Sequence, residues 1–152
     1  MTLNQESLES AATRVLEDVA CVFARPLGAR PAPDERWHAA GARLRFRGAL
    51  RGYMELWAPP EAVGPLASAL LGEDDAGLAA ADATLDALRE MLHVLCGNVL
   101  SLLAGPERAF SLGTPRRRER MIPFTDAESG FEAWLEADGH PVLMRLRVAG
   151  LD

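Results

Sequence analysis

Glu90 and His93 stand three residues apart in the run Glu90-Met-Leu-His93-Val-Leu-Cys-Gly97-Asn98. A carboxylate and an imidazole one helical turn apart can orient a ring, hold a water or accept a proton. The surrounding residues dictate the helix. Leu85, Leu88, Leu92, Leu95, Val99 and Leu102 recur three and four apart, which makes one apolar stripe on a helix over 82–104. Asp86, Glu90, His93, Gly97 and Ser101 fall opposite it, within an arc of roughly 80°. Val94 and Leu100 flank the polar stripe, and Asn98 follows the glycine. Apolar edges around a polar centre suit a docking surface better than a washed face. Glycine inside a helix costs about 1 kcal/mol relative to alanine. Close approach by a visiting backbone at Gly97 would offset that cost. Glu90 and His93 are therefore the candidate chemical pair. Asp86, Val94, Gly97, Asn98, Leu100 and Ser101 are the candidate partner contacts. The alternative is a solvated helix face, with Asn98 bonded locally.

At 152 residues the chain is long enough for one domain, 1–152, to bury a core without staples. All sixteen basic residues are arginine, and the net charge of −6 argues against a nucleic-acid partner. The run Arg116-Arg117-Arg118-Glu119-Arg120 reads as a solvated loop or strand edge. Two cysteines make neither a disulfide framework nor a zinc quartet. His93 and Cys96 lack a second ligand pair, so no metal site is expected. There is no signal-like start, and no run reads as the ~20 apolar residues of a membrane span. A cytoplasmic chain with no membrane contact is the expectation.

The elements that must carry this site follow from periodicity. Residues 4–24 predict an amphipathic helix with Leu8, Ala12, Val15, Val19 and Val22 on its buried face, ended by Pro26. A Pro/Gly-rich loop covers 25–34. Ala42, Leu44 and Phe46 alternate with Arg43, Arg45 and Arg47, and a second strand runs Tyr53-Met-Glu-Leu-Trp57, so a hairpin with one solvated face is predicted. A short helix, 61–71, closes at Gly72. An acidic linker leads to the long helix, with Asp82 as its expected cap. Strand pieces are expected around 108–112 and 120–124. A final hairpin turns at Asp138-Gly139-His140-Pro141. Trp57 and Trp134 alternate on outer faces, where a loop or a homodimer contact could cover them. The pattern is α+β, an antiparallel sheet with helices on one face, in an order suggesting an αββα-type unit used twice. Outer-face arginines are expected to pair with Glu55, Glu132 and Glu136 across strands.

Phe46-Arg-Gly48 followed by Gly52-Tyr-Met-Glu-Leu-Trp-Ala-Pro59 resembles the first hairpin of the CheX and CheC-like chemotaxis phosphatases. So does the passage into Ala67-Ser-Ala-Leu-Leu71-Gly72. The long helix is similar to that family's signature helix, in which Glu, two residues and Asn precede a Gly-Asn pair. Glu90, Gly97 and Asn98 match that spacing, and Phe110-Ser-Leu-Gly-Thr-Pro115 resembles the strand after it. The single signature is closer to CheX than to the two-signature CheC form. The resemblance implies a CheC-like fold that docks its signature helix over a CheY-type receiver and hydrolyses the receiver's aspartyl phosphate. By that analogy Glu90 meets the receiver's lysine, and position 93 holds the attacking water. The chain itself then needs no cofactor, because Mg²⁺ belongs to the partner receiver. Position 93 departs from the pattern, being histidine where the family has asparagine.

Three readings follow. The first is a phosphatase in which neutral His93 holds or activates the water, with activity rising as the ring deprotonates. The second is a silent receiver-binding module that keeps the dock and lacks the chemistry. In the third, His93 itself accepts the phosphoryl group.

Overall fold

In a computed structural model, which describes residues 3–28, 39–72, 81–122, 124 and 130–149, the chain runs α1 (Gln5–Ala20), β1 (Ala24–Pro26), β2 (Ala40–Gly48), β3 (Arg51–Ala58), α2 (Pro60–Leu71), α3 (Ala81–Ala104), β4 (Phe110–Leu112), β5 (Arg116–Arg118), β6 (Gly130–Ala137) and β7 (His140–Ala149). The strands form one antiparallel sheet in the order β1-β6-β7-β3-β2-β4, and β5 also pairs β2, at residues 41–43, while β4 pairs it at 46–48. The architecture is α+β, as the alternating strands required. Its order is symmetric. The two hairpins, β2–β3 and β6–β7, meet at the centre through β3 and β7. The short strand after α1 edges the second hairpin, and the short strands after α3 edge the first. Correspondingly, α1 packs over β6 and α3 over β2.

Helix α1 starts in a reciprocal cap. Asn4 accepts from the Ser7 amide, and Ser7 accepts from the Asn4 amide. It ends at Cys21, which takes the left-handed conformation (φ 54°) while Val22 N–H reaches back to the Leu16 carbonyl. The expected terminator, Pro26, instead closes the edge strand β1, where its missing N–H is tolerated. With the turn placed at Cys21, Val19 is 42 % exposed and Ala11, Leu16 and Ala20 take the buried face. Helix α2 closes on left-handed Gly72. The expected linker 73–80, residues 29–34 of the expected loop, and His38 lie outside the described residues.

Leu44, Met54, Leu56, Leu135, Met144 and Leu146 face the helices and join them in the main core. The outer face carries a second, smaller cluster. Trp57, Trp134 and Leu143 lie in one row, covered by Leu27, Ala39 and Met121. At 3 % and 4 % exposed, the two indoles are already covered by their own chain rather than left for a dimer contact. Gly41, opposite Trp57, makes the room. A Cβ there would meet Trp57 ring atoms at 2.3–2.5 Å.

Two expectations about the later strands are corrected. The arginine run is itself strand β5, at the edge of β2, whereas no strand forms among the described residues of 119–124. The last hairpin turns on two residues only, Asp138 (φ 49°) and Gly139 (φ 84°), the mirror-image turn that matches strand twist.

Candidate functional site

Helix α3 packs against α1 and α2 as well as β2 and β3. That position buries more than one narrow stripe. Leu88, Leu92, Leu95 and Val99 are buried as expected, and Ala87, Met91, Cys96 and Leu100 join them. Leu100 is therefore a correction. Periodicity puts it on the partner surface, but it is 0 % exposed, because a helix with neighbours on several sides turns its flanking positions inward too. Leu102, assigned to the core stripe, is 42 % exposed in the last turn. By length and mean hydropathy residues 83–104 would pass as a membrane span, contrary to the expectation that no run would. In the fold that apolar character belongs largely to the core.

The polar stripe stands on the other side. Asp86, Glu90, His93, Asn98 and Ser101 are exposed, and Val94 and Gly97 are half-buried. Glu90 and His93 make no hydrogen bond or ion pair with any described residue. Two neighbours are engaged locally: Arg89 bonds Asp86, and Asn98 Nδ2 donates to the Val94 carbonyl at 2.8 Å. The only described atom near a Cβ placed on Gly97 is Leu112 Cδ1, at an ordinary 3.7 Å. Nothing in this part of the chain demands a glycine there. The arrangement is a convex ridge offering an acid, a ring and a stretch of bare backbone, all held by the core behind it.

Cys96 adds nothing to the ridge. Burial pushes its thiol up to about 12, so it stays protonated and inert. Among the described residues no group of three or more His, Cys, Asp and Glu side chains could hold a metal ion.

Sequence reasoning did not resolve the charge order on the outer face of the sheet. Cross-strand register lines up Arg43, Glu55, Arg145 and Glu132 in one row. Arg145, with a fully buried side chain, donates from Nη1 to Glu55 Oε1 (2.8 Å), from Nε to Glu132 Oε2 (2.9 Å) and from Nη2 to the Ile122 carbonyl (2.8 Å). Arg43 and the Trp57 indole N–H complete the ring around Glu55. Burial alone would raise the Glu55 carboxyl. Hydrogen bonds from Trp57, Arg43 and Arg145, together with the Arg145 charge, outweigh it and hold the group below the usual carboxylate range. Arg25 pairs with Glu136 at the surface. Arg45, Arg47 and Arg147 take no carboxylate among the described residues, so the expected pairing holds for part of the face only.

The fold is that of the CheX and CheC-like chemotaxis proteins, an antiparallel sheet with three helices on one face. CheX from Vibrio vulnificus is similar over 94 % of both chains at 17 % identity, with a TM-score of 0.65. A CheC-like superfamily protein from Shewanella sp. PV-4 matches 99 % of this chain and 100 % of its own at 14 % identity, with a TM-score of 0.66. CheX from Borrelia burgdorferi, solved in complex with CheY, BeF3 and Mg²⁺, covers 94 % of this chain and 96 % of its own at 16 % identity, with a TM-score of 0.61. No family model and no curated protein matches the sequence.

Proposed function

We propose that the chain docks the exposed stripe of α3 onto the phosphorylated receiver domain of a CheY-type response regulator and promotes hydrolysis of its aspartyl phosphate. The observation that carries this reading is the pair Glu90 and His93, exposed one turn apart and unengaged by any described residue, on a helix whose other faces are core. The solved CheX–CheY complex, in a protein of the same fold, supports a receiver as the partner. In this reading Glu90 anchors to the receiver's lysine. Gly97 lets the receiver backbone come close, with Asp86, Val94, Asn98 and Ser101 around it. His93, when neutral, accepts a hydrogen bond from the water in line with phosphorus. That water attacks, the P–O bond to aspartate breaks, and free aspartate and inorganic phosphate result. An acyl phosphate is already activated, and Mg²⁺ and lysine come with the receiver, so an oriented water is all the helper adds. The setting is cytoplasmic signalling of the chemotaxis type.

Histidine in place of the family's asparagine favours a second reading, a receiver-binding module without catalysis. An imidazole has a different reach from an amide, and a positioning group displaced by an ångström can cost on the order of 10²-fold in rate. Both readings are tested by the lifetime of a phosphorylated receiver with wild-type chain, Glu90→Gln and His93→Asn. The phosphatase reading expects wild type to shorten the lifetime and Glu90→Gln to abolish the effect. The module reading expects binding alone, with hydrolysis gained by His93→Asn. A receiver that neither binds nor loses phosphate faster would overturn both.

A further inference from the structure

The outer face of the sheet is ordered in rows by cross-strand register. One row is apolar, Gly41-Trp57-Leu143-Trp134. The next alternates in charge, Arg43-Glu55-Arg145-Glu132. The row after that is different. Arg45 and Arg147 flank Tyr53 with no carboxylate between them, and Arg47 and Arg51 follow at the hairpin end. Two strand spacings put the Arg45 and Arg147 backbones only ~10 Å apart. Like charges this close on one face destabilise a sheet unless something neutralises them.

These four arginines line a hollow of about 540 Å³, walled by Ser111, Leu112 and Gly113 of the β4 segment, a volume within the range of small-ligand sites. Its base is held in place, since Tyr53 is buried and the Arg43 guanidinium lies 3.8 Å over its ring. Arg147 Nε is a buried donor with no hydrogen-bond partner among the described residues. Elsewhere on this face Arg145 is held by Glu55, Glu132 and a carbonyl, while Arg118 Nε, also without a hydrogen bond, lies 4.0 Å from Glu55. A net charge of −6 makes four clustered arginines, with no carboxylate partner among the described residues, a local departure from the chain as a whole.

We infer that this hollow binds a small soluble polyphosphate, the phosphate chain held between the forks of Arg45, Arg51 and Arg147. Guanidinium groups match phosphate oxygens two at a time. The Tyr53 ring is occupied by Arg43, so recognition rests on the phosphates rather than on a stacked base. The site opens on the outer face of the sheet, adjoins the α3 ridge through Leu112, and does not depend on receiver docking.

Calorimetric titration of the full chain with tripolyphosphate, ATP and sulfate tests it, at low and at physiological salt. Tripolyphosphate is expected to bind at least tenfold tighter than sulfate, and to weaken as salt rises. ATP binding equal to tripolyphosphate marks the phosphate chain as the ligand, and tighter ATP binding marks a nucleotide; either supports the site. R45Q/R147Q and the single Arg51→Gln are expected to lose tenfold or more in affinity, while Arg89→Gln on α3 is unaffected. Without ligand, R45Q/R147Q is expected to melt no lower than wild type, and it loses the rise in Tm that tripolyphosphate gives wild type. Equal affinity in wild type and R45Q/R147Q would overturn the inference. So would binding that appears only in D126N/E128Q, since the arginines would then be served by carboxylates of their own chain outside the described residues.

Discussion

Glu55 sits 1 % exposed among three arginines and an indole, and its removal would leave the buried Arg145 guanidinium with Glu132 and the Ile122 carbonyl as its remaining described partners. A buried charge left wholly uncompensated costs about 3–5 kcal/mol; with Glu132 still in place, Glu55→Gln is expected to lose about 1–3 kcal/mol in denaturant titration near neutral pH. The pH dependence has a definite sign. The folded-state pKa of Glu55 lies below its unfolded value, so its contribution is complete above the unfolded pKa and is lost as pH falls through the lowered one. The melting temperatures of wild type and Glu55→Gln should therefore converge as pH is lowered through the carboxylate range; a gap that stays constant would contradict the assignment. Single residues were legible in the sequence to an uneven degree. Glu90 and His93 were placed correctly on an open face because helical periodicity alone decides that. Leu100 was misplaced because periodicity says nothing of how many neighbours a helix has. The Glu55 ring was anticipated only as surface pairing, since its burial depends on Trp57 and Phe124 closing over the row.

At the level of elements, α3 gives the cleanest test of the docking proposal. Among the described residues a methyl group on Gly97 meets only Leu112 Cδ1, at 3.7 Å, so Gly97→Ala is expected to stabilise the free chain by up to about 1 kcal/mol. The same methyl would stand in the path of a visiting backbone and weaken receiver binding. A higher melting point together with poorer binding is the expected pair of results; unchanged receiver affinity would remove the reason for a glycine there. The hairpins were readable because alternation has a period of two that no helix imitates. The short strands were not. Three-residue β1 and β5 exist only because β6 and β2 offer them partners, and local sequence holds no record of that. Pro26 shows the same limit from the other side: it reads as a helix stop, yet the helix had already ended in the left-handed turn at Cys21.

Across the whole molecule acids outnumber the exposed Arg14 and Arg89 on the helices, while one end of the sheet's far face gathers arginine. Glu6, Glu17, Asp18, Glu61, Asp86 and Glu90 are exposed on the helices, whereas the far face of the sheet carries Arg45, Arg47, Arg51 and Arg147. Beyond a Debye length of about 8 Å at physiological salt, each face governs its own encounters more than the net charge does. At low salt the chain should therefore be retained on a cation exchanger despite its net charge of −6, as well as on an anion exchanger. R45Q/R147Q should lose only the first behaviour, and equal elution of the two proteins from the cation exchanger would refute the asymmetry. Composition announced the acidic total. Only the register of the sheet reveals where the opposing charge is gathered.

The rims of the sheet carry a last consequence. One ends in β1, three residues closed by Pro26, and the other in β4 and β5, three residues each, the latter entirely arginine. Among the described residues no rim offers a long, flat, uncharged row of amides and carbonyls for a foreign chain to template upon. Short, charged rims of this kind work against stacking into fibrils, and the arginines that look superfluous to the core add to that effect.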